Sequence, residues 1–286
     1  MSSASQLTII NNASLYAPEY QGVKSLLIGG GKILAINDSP ITLDDSLNAE
    51  VIDLAGQKLL PGYIDSHAHI TGGGGEAGFA TQVPPVPISQ FTNAGVTTVV
   101  GLLGTDDLTR STGSVLARVY GLREEGMSAY CWTGGYHLPL TTLTGSAKSD
   151  IVYLEPVIGV GEFAISDHRS SQPSFDEVIR LASETHVAGL MTGKAGVVHF
   201  HLGDGDRKLD LIERAIKETE IPARVFNPTH INRNKPLFDH ACELLALGIH
   251  ADITAFPKSD DEPGWTAAEA IGLAVERNVP LNQLTV

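Results

Sequence analysis

The chain has 286 residues, of which 42% are hydrophobic and 18% are charged, and its formal net charge is -14 at pH 7. This composition is ordinary for a globular protein, and the acidic balance argues against nucleic acids and anionic membranes as partners. No apolar run reaches the roughly 18 residues that a membrane span needs, and residues 1–6 lack the basic and apolar segments of a signal peptide. With only two cysteines, which lie far apart, the composition is typical of a cytoplasmic protein.

The first part of the chain predicts short β-strands joined by turns. We expect strands at residues 7–10, 25–28, 33–36, 51–54 and 58–60, with turns at Asn11-Asn12 and at the glycines of residues 29–31. We interpret residues 1–59 as a small β-sandwich domain, or a sheet, that precedes the main domain.

From residue 60 onwards, short apolar runs alternate with helix-like segments. The runs cover residues 62–67, 96–103, 127–133, 157–165, 197–202, 224–229 and 250–256, and residues 284–286 begin an eighth. The helix-like segments cover residues 112–125, 174–184, 208–218, 236–247 and 267–278. Strands that alternate with helices predict a parallel sheet, and this number of units favours an α/β fold of the (β/α)8 barrel type over residues 60–286. Because the eighth run is three residues long, we expect an incomplete barrel.

Four of these runs end in or contain residues that bind metal ions. The first ends in His67-Ala68-His69, the fourth contains Glu162, the fifth ends near His201 and the sixth ends near His230. In a barrel these positions meet at the carboxyl ends of the strands, where active sites are built. Four imidazoles and one carboxylate there predict a site for a pair of divalent ions, and zinc, nickel, cobalt and manganese all suit such ligands.

Each histidine alone has a simpler interpretation. A single His-x-His pair is a weak signal, and an isolated His230 would more often be a histidine of a turn or of the core. We interpret His199 as structural, with its side chain directed away from the mouth of the barrel. Glu162 is the most informative residue, since a buried carboxylate without a cation is costly.

Several motifs resemble those of a known family. Residues 60–69 (LPGYIDSHAH) resemble the first-strand signature of the amidohydrolase superfamily. Over nearly the whole chain, further stretches are similar to the β-aspartyl (isoaspartyl) dipeptidases: residues 72–78 (GGGGEAG), 99–106, 133–137, 165–170 (ISDHRS) and 228–234 (PTHINRN).

The resemblance implies a role for each matching position. His67 and His69 would hold one metal ion, His201 and His230 would hold the other, and Glu162 would bridge them, with zinc as the first choice of metal. Tyr136 would donate a hydrogen bond to the developing oxyanion. The residues implied in substrate binding are Glu76 for a free α-amino group, Arg169 and Arg233 for carboxylates, and Thr105.

The chain departs from the family pattern in two places. Well-known members carry on strand four a lysine that is carboxylated and bridges the metals, whereas this chain has Glu162, preceded by Gly161. We therefore predict metal binding that does not depend on bicarbonate, with Glu162 reaching the metals either because the strand approaches them closely, which Gly161 would permit, or with the help of another carboxylate. In the family an aspartate that acts as the general base follows strand eight, and it would come just after Val286. We expect the polypeptide to continue beyond Val286, because residues 1–286 would otherwise not form an active enzyme by themselves.

These features predict an isoaspartyl dipeptidase that acts on small dipeptides in the cytoplasm and assembles as a homo-oligomer. One alternative is a cyclic amidase of the dihydroorotase or hydantoinase type, against which Glu76, Arg169 and Arg233 argue. A second alternative is a non-catalytic amidohydrolase-like assembly protein, which would not need four converging imidazoles.

Overall fold

The structure is a computed structural model that describes residues 7–257 and 263–286. Residues 1–6, for which no signal peptide is predicted, lie outside the described residues. The chain divides into two compact units, the first ending at Tyr63 and the second beginning at Ile64. None of the helices within the described residues has both the length and the apolar character that a membrane crossing requires.

The described residues of the first unit form one five-stranded sheet. Its strands are β1 (Leu7–Tyr16), β2 (Tyr20–Gly29), β3 (Lys32–Asn37), β4 (Glu50–Asp53) and β5 (Lys58–Leu59). The order is β3-β2-β1-β4, with β5 also paired to β1. Strand β1 pairs antiparallel with β2 and parallel with β4, and its side chains alternate between buried and half-buried, as expected for a strand with one covered face.

The predicted turn at Asn11-Asn12 is wrong, because β1 continues through both residues. The ladder between β1 and β2 has an irregularity between Ile10 and Ala13, where Asn12 adopts a left-handed backbone with φ of 55°. Asparagine tolerates this conformation better than most residues, so the dipeptide marks a bulge within a strand. The Asn11 side chain is buried and bonds both the backbone N–H and the backbone carbonyl of Ile41.

The second unit alternates strands and helices throughout. Its strands are β6 (Tyr63–Ala68), β7 (Gly73–Gly74), β8 (Gln82–Val83), β9 (Val96–Gly101), β10 (Ser128–Thr133), β11 (Val157–Ile165), β12 (Val197–Leu202), β13 (Phe226–Thr229), β14 (Ala251–Asp252) and β15 (Leu284–Thr285). Its helices are α1 (Ile88–Asn93), α2 (Thr112–Glu124), α3 (Ala147–Tyr153), α4 (Phe175–Thr192), α5 (Asp210–Glu218), α6 (Lys235–Leu245) and α7 (Ala267–Glu276).

The sheet of this unit confirms the predicted fold class. Six strands lie in the order β13-β12-β11-β10-β9-β6, and β9 to β13 pair in parallel. Strand β14 pairs in parallel with β15, and the neighbouring His250 N–H donates to the Phe226 carbonyl at the start of β13 (3.2 Å). The result is an α/β fold whose curled parallel sheet forms an incomplete (β/α)8 barrel.

The element boundaries differ from the prediction where the pattern was short or partly polar. The seventh strand is Ala251–Asp252, much shorter than residues 250–256, and helices α1 and α3 were not predicted. Helix α4 runs to Thr192, well beyond residue 184, because its buried face continues through Ala188. It ends at Gly193, whose φ of 69° is the left-handed conformation that glycine provides at a helix end.

Alternation along the central strands separates the core from the opposite face of the sheet. Phe163, Phe200 and Phe226 are fully buried in the hydrophobic cluster that also contains the inner faces of the helices, with neighbouring ring centroids 6.1 Å apart. Since successive side chains of a strand point to opposite faces, Glu162 and His201 project away from this cluster. The strands therefore direct polar side chains into the barrel interior.

We expect Phe200→Ala to lower the free energy of unfolding by about 3–5 kcal/mol, because truncating a fully buried aromatic ring leaves a cavity. Urea denaturation measures this loss. Tyr153→Ala removes an aromatic ring that is 78% exposed at the end of α3, and it should change the free energy by no more than about 0.5 kcal/mol. Equal losses in the two variants would contradict the assignment of the core.

Candidate active site

The polar residues predicted at the strand ends converge on one carboxylate. Glu162 lies in β11 and is 1% exposed. Its Oε1 lies 3.7 Å from Nε2 of His67 and 3.5 Å from Nε2 of His69. Its Oε2 lies 3.0 Å from Nδ1 of His201 and 3.4 Å from Nε2 of His230. Each carboxylate oxygen thus faces one pair of imidazoles.

These five side chains form two overlapping groups that could hold metal ions. One consists of His67, His69 and Glu162, the other of Glu162, His201 and His230, and in each the potential ligand atoms lie within 4.8 Å of one another. His230 follows β13 with a left-handed φ of 61°, a conformation that is unfavourable for a residue with a side chain and that often marks functional positions.

The site keeps Glu162 ionised. Burial acts to raise its pKa, but the surrounding imidazoles, His67 first among them, hold the pKa of Glu162 well below its ordinary range. Burial holds the pKa of His67 well below its ordinary value and also lowers the pKa of His230. An anionic carboxylate among imidazoles with available lone pairs attracts a cation.

The structure overturns the interpretation of His199 as a residue directed away from the mouth of the barrel. Its Nε2 lies 2.8 Å from Nδ1 of His67, and its ring stacks on Trp132 with centroids 5.5 Å apart. The two-residue period of β12 could have indicated this position, since His199 and His201 are two apart and share a face. His199 is therefore the buried neighbour of a predicted metal ligand.

A cavity of about 410 Å³ opens beside this cluster. It brings together all the predicted site residues except His67, which lies next to it against Glu162. The predicted residues that line it are His69, Glu76, Thr105, Tyr136, Glu162, Arg169, His201, His230 and Arg233.

Tyr136 presents a hydroxyl to the cavity. Its oxygen lies 2.6 Å from Nδ1 of His201. Burial, and then the negative charge of Glu162, raise the pKa of Tyr136 above its ordinary range. The hydroxyl therefore keeps its proton at any working pH and can donate a hydrogen bond.

The two predicted arginines share a buried carboxylate that the sequence analysis missed. The Arg169 guanidinium donates to both carboxylate oxygens of Asp167 (3.0 and 2.7 Å), and Nη1 of Arg233 lies 4.0 Å from the same group. Asp167 also lies 2.9 Å from Nε2 of His201. Burial acts to raise its pKa, but His201 and Arg169 hold the pKa of Asp167 below its ordinary range. The position of Asp167 in the Asp-His-Arg-Ser stretch, two residues before Arg169, could have indicated this contact.

Glu76 completes the charged lining of the cavity. Nη1 of Arg169 donates to its Oε1 at 2.8 Å. Besides Glu162, the cavity thus contains the carboxylate of Glu76 beside the guanidinium groups of Arg169 and Arg233. Such a lining complements a small molecule that carries both an ammonium group and carboxylates.

Comparison with known proteins finds no matching family model. Among solved structures, the β-aspartyl dipeptidase of Fervidobacterium islandicum AW-1 is 42% identical, with a TM-score of 0.89 over 98% of this chain and 75% of that chain. The same enzyme in complex with a β-Asp-Leu dipeptide is 41% identical, with a TM-score of 0.90 over 98% of this chain and 73% of that chain. A dihydroorotase shares the fold at 16% identity, with a TM-score of 0.60 over 98% of this chain and 72% of that chain.

Replacing His199 with Gln should flatten the acid side of the stability profile of the metal-free protein. Burial lowers the pKa of His199 from 6.5, so below pH 6.5 the unfolded chain binds a proton that the folded protein does not. The free energy of unfolding then falls as the pH decreases, by at most about 1.4 kcal/mol per pH unit for one imidazole. His199→Gln removes this contribution.

Urea denaturation between about pH 5 and pH 7.5, with a chelator present, measures the slope. His250→Gln replaces an exposed imidazole and should leave the wild-type slope unchanged. If His199→Gln kept a slope as steep as the wild type, the buried and neutral state of this imidazole would be disproved.

Proposed function

The chain belongs to the β-aspartyl dipeptidase family of the amidohydrolase superfamily, and from this membership we propose that it hydrolyses the isopeptide bond of β-aspartyl dipeptides with the help of two divalent metal ions. The observation that carries the proposal is the shared carboxylate of Glu162, with one imidazole pair at each oxygen, at the base of a cavity lined by Arg169 and Arg233.

The donor set fits a pair of metal ions. We propose that His67 and His69 hold one ion, that His201 and His230 hold the other, and that Glu162 contacts both. Nε2 of His67 is buried and has no hydrogen-bond partner in the structure, which leaves its lone pair available to a cation. Imidazole and carboxylate ligands suit zinc, which is the metal that we propose. Bound ions of this kind polarise an amide carbonyl and lower the pKa of water.

The Glu162 side chain is shorter than a carboxylated lysine, so β11 must lie close to the proposed metal site. The packing around Gly161 is consistent with this. A Cβ atom at Gly161 would lie 2.9 Å from Cβ of His199 and 3.3 Å from Cγ of Trp132. Because a side chain at position 161 would collide with these neighbours, glycine lets β11 pack closely against His199 and Trp132, while Glu162 itself lies 3.0–3.7 Å from the four imidazoles. We therefore keep the prediction that metal binding is independent of bicarbonate.

The charged residues that line the cavity would bind the charged groups at the ends of the substrate. Glu76 would bind the free α-amino group, and Arg169 and Arg233 would each bind a carboxylate, with Thr105 alongside. The F. islandicum enzyme is known in complex with β-Asp-Leu, which carries these groups. The Tyr136 hydroxyl would donate a hydrogen bond to the oxygen of the scissile carbonyl as negative charge develops there. The general-base aspartate after Val286 and the homo-oligomeric state stay predictions.

The activity test uses the full polypeptide loaded with zinc. We expect turnover of β-Asp-Leu and none of dihydroorotate, and we expect Tyr136→Phe to lower kcat by about 100- to 1,000-fold because one oxyanion donor is lost. Tyr153→Phe, on an exposed ring, is the matched control and should keep the wild-type kcat. Turnover of dihydroorotate in preference to β-Asp-Leu would favour the cyclic amidase instead.

Glu162→Gln should weaken metal binding by at least about 100-fold, because it removes the negative charge of the shared ligand while keeping its size. Even residues that only hydrogen-bond to metal ligands typically change metal affinity by about 10- to 100-fold. Metal analysis after dialysis measures the bound ions, with two per wild-type chain expected. Glu155→Gln, at a surface ion pair with Arg123, should retain both ions.

Adding bicarbonate to the metal-loaded apoprotein should leave activity unchanged. A rise in activity with bicarbonate would show that a carbamate forms somewhere in the site and would refute the direct role of Glu162. No bound metal in the reconstituted wild type would favour a non-catalytic assembly protein.

A further inference from the structure

We propose that Asp106 and Arg110 are positioning residues, whose buried ion pair clamps both ends of the glycine-rich segment of residues 72–83 and thereby places Glu76 in the substrate cavity. The inference rests on the proposed function, because it gives Glu76 the α-amino group of the dipeptide as its ligand. Neither Asp106 nor Arg110 lines the cavity, so both would act through the residues that they hold.

A single guanidinium group bonds both ends of the segment. Nε of Arg110 donates to the carbonyl of Thr71 (3.1 Å), and Nη2 donates to the carbonyl of Val83 (3.3 Å). Nη1 pairs with the carboxylate of Asp106. The planar fork of arginine suits this task, since its donors are fixed relative to one another. The Arg110 side chain is 15% exposed, so its bonds to Thr71 and Asp106 are partly buried, while the bond to Val83 lies at the exposed edge of the hairpin.

Asp106 links the clamp to the neighbouring loop of the cavity. Its carboxylate is 2% exposed, and Oδ1 accepts a hydrogen bond from the backbone N–H of Gly104 (3.0 Å), while Oδ2 pairs with Arg110. Gly104 and Thr105 both line the cavity. The ion pair therefore spans two loops, one after β6 and one after β9, and fixes the distance between them.

Besides the clamp, the segment is held by hydrogen bonds between Arg169 and Glu76 (2.8 Å) and between Gln82 and Thr109 (3.4 Å). It folds back through β7 and β8, which pair at two positions, Gly73 with Val83 and Gly74 with Gln82. So short a hairpin is marginal in stability without further support. At its base, Gly72 has a φ of +84°, and a Cβ atom there would lie 2.1 Å from the Val83 carbonyl oxygen and 3.1 Å from Nη2 of Arg110. Its tip is open to solvent, with Phe79 83% exposed.

Glu76 lies within this segment, two residues beyond β7. Its carboxylate receives a hydrogen bond from Arg169 across the cavity and is itself partly exposed. A shift of the hairpin base therefore moves the group that would bind the substrate's ammonium, whereas His67, Glu162 and His201 lie within the sheet strands β6, β11 and β12. Loss of the clamp should change substrate discrimination more than the chemistry at the scissile bond.

Two substrates that differ only at the α-amino group separate these effects. Succinyl-leucine is β-Asp-Leu without its α-amino group, so the ratio of kcat/KM for β-Asp-Leu to that for succinyl-leucine measures the contribution of Glu76. Arg110→Lys keeps the charge opposite Asp106 but cannot bond both carbonyls. We expect it to lower this ratio by about 10-fold or more, since displacements of about 1 Å cost up to about 100-fold.

Arg123→Lys is the matched control. Arg123 also joins a carboxylate, that of Glu155, to a backbone carbonyl, that of Ala129, but at the far end of α2 from the cavity. The control should keep the wild-type ratio. Asp106→Asn is a second variant for the case that Arg110→Lys does not fold, and it should lower the ratio in the same direction.

Hydrogen–deuterium exchange gives a readout that does not need turnover. Exchange of residues 72–83 should speed up at least about 10-fold in Arg110→Lys and not in Arg123→Lys, while β12 keeps its protection in both. Wild type without turnover of β-Asp-Leu would refute the proposed function and leave the exchange test of the clamp intact. Unchanged exchange would refute the clamp, and faster exchange with an unchanged substrate ratio would refute its role in placing Glu76.

Discussion

The buried carboxylate of Glu162 is the constraint on which the rest of the site depends. An ionised carboxylate that is 1% exposed would cost several kcal/mol in an apolar interior. Here four imidazoles surround it, two at each oxygen, and its pKa stays below its ordinary range in spite of burial. The arrangement is symmetric about the carboxyl group, so a cation placed on either side meets the same kind of ligand set. One side chain thus belongs to both groups that could hold a metal ion.

The strand geometry is what allows one carboxylate to meet residues that are far apart in sequence. Parallel strands that end at one edge bring their last side chains together, and each strand then feeds a helix that covers the other face. In β11 Phe163 packs into the core, while its neighbour Glu162 points to the other side, among the imidazoles of the site. The same alternation in β12 sends Phe200 outward, and His199 and His201 inward. The core residues that stabilise the fold and the polar residues of the site therefore lie on opposite faces of the same strands.

Much of this architecture could be predicted from the sequence, since it depends on periodicity. The apolar runs located the barrel strands, and the histidines and Glu162 at their ends are brought together as expected. What the sequence could not supply were contacts between loops. Asp167 pairs with His201, and Arg110 bonds Val83, so both have partners distant in sequence, and no local pattern encodes such distances. The turn predicted at Asn11-Asn12 was wrong for a different reason, since asparagine occurs in both turns and β-bulges.

The charges that line the cavity explain why a zwitterion with two carboxylates suits it. In the structure Glu76 and Arg169 bond each other across the cavity, so neither charge is unpaired. A ligand that brought only a carboxylate would take Arg169 and leave Glu76 without its partner, at the cost of an uncompensated carboxylate. A β-aspartyl dipeptide brings one ammonium group and two carboxylates, and under the proposed function these would pair with Glu76, Arg169 and Arg233. Because Asp167 bonds Arg169 from outside the cavity lining, the arginine is oriented by a carboxylate that the proposed substrate would not contact, and under the proposed function discrimination depends on where Glu76 is held.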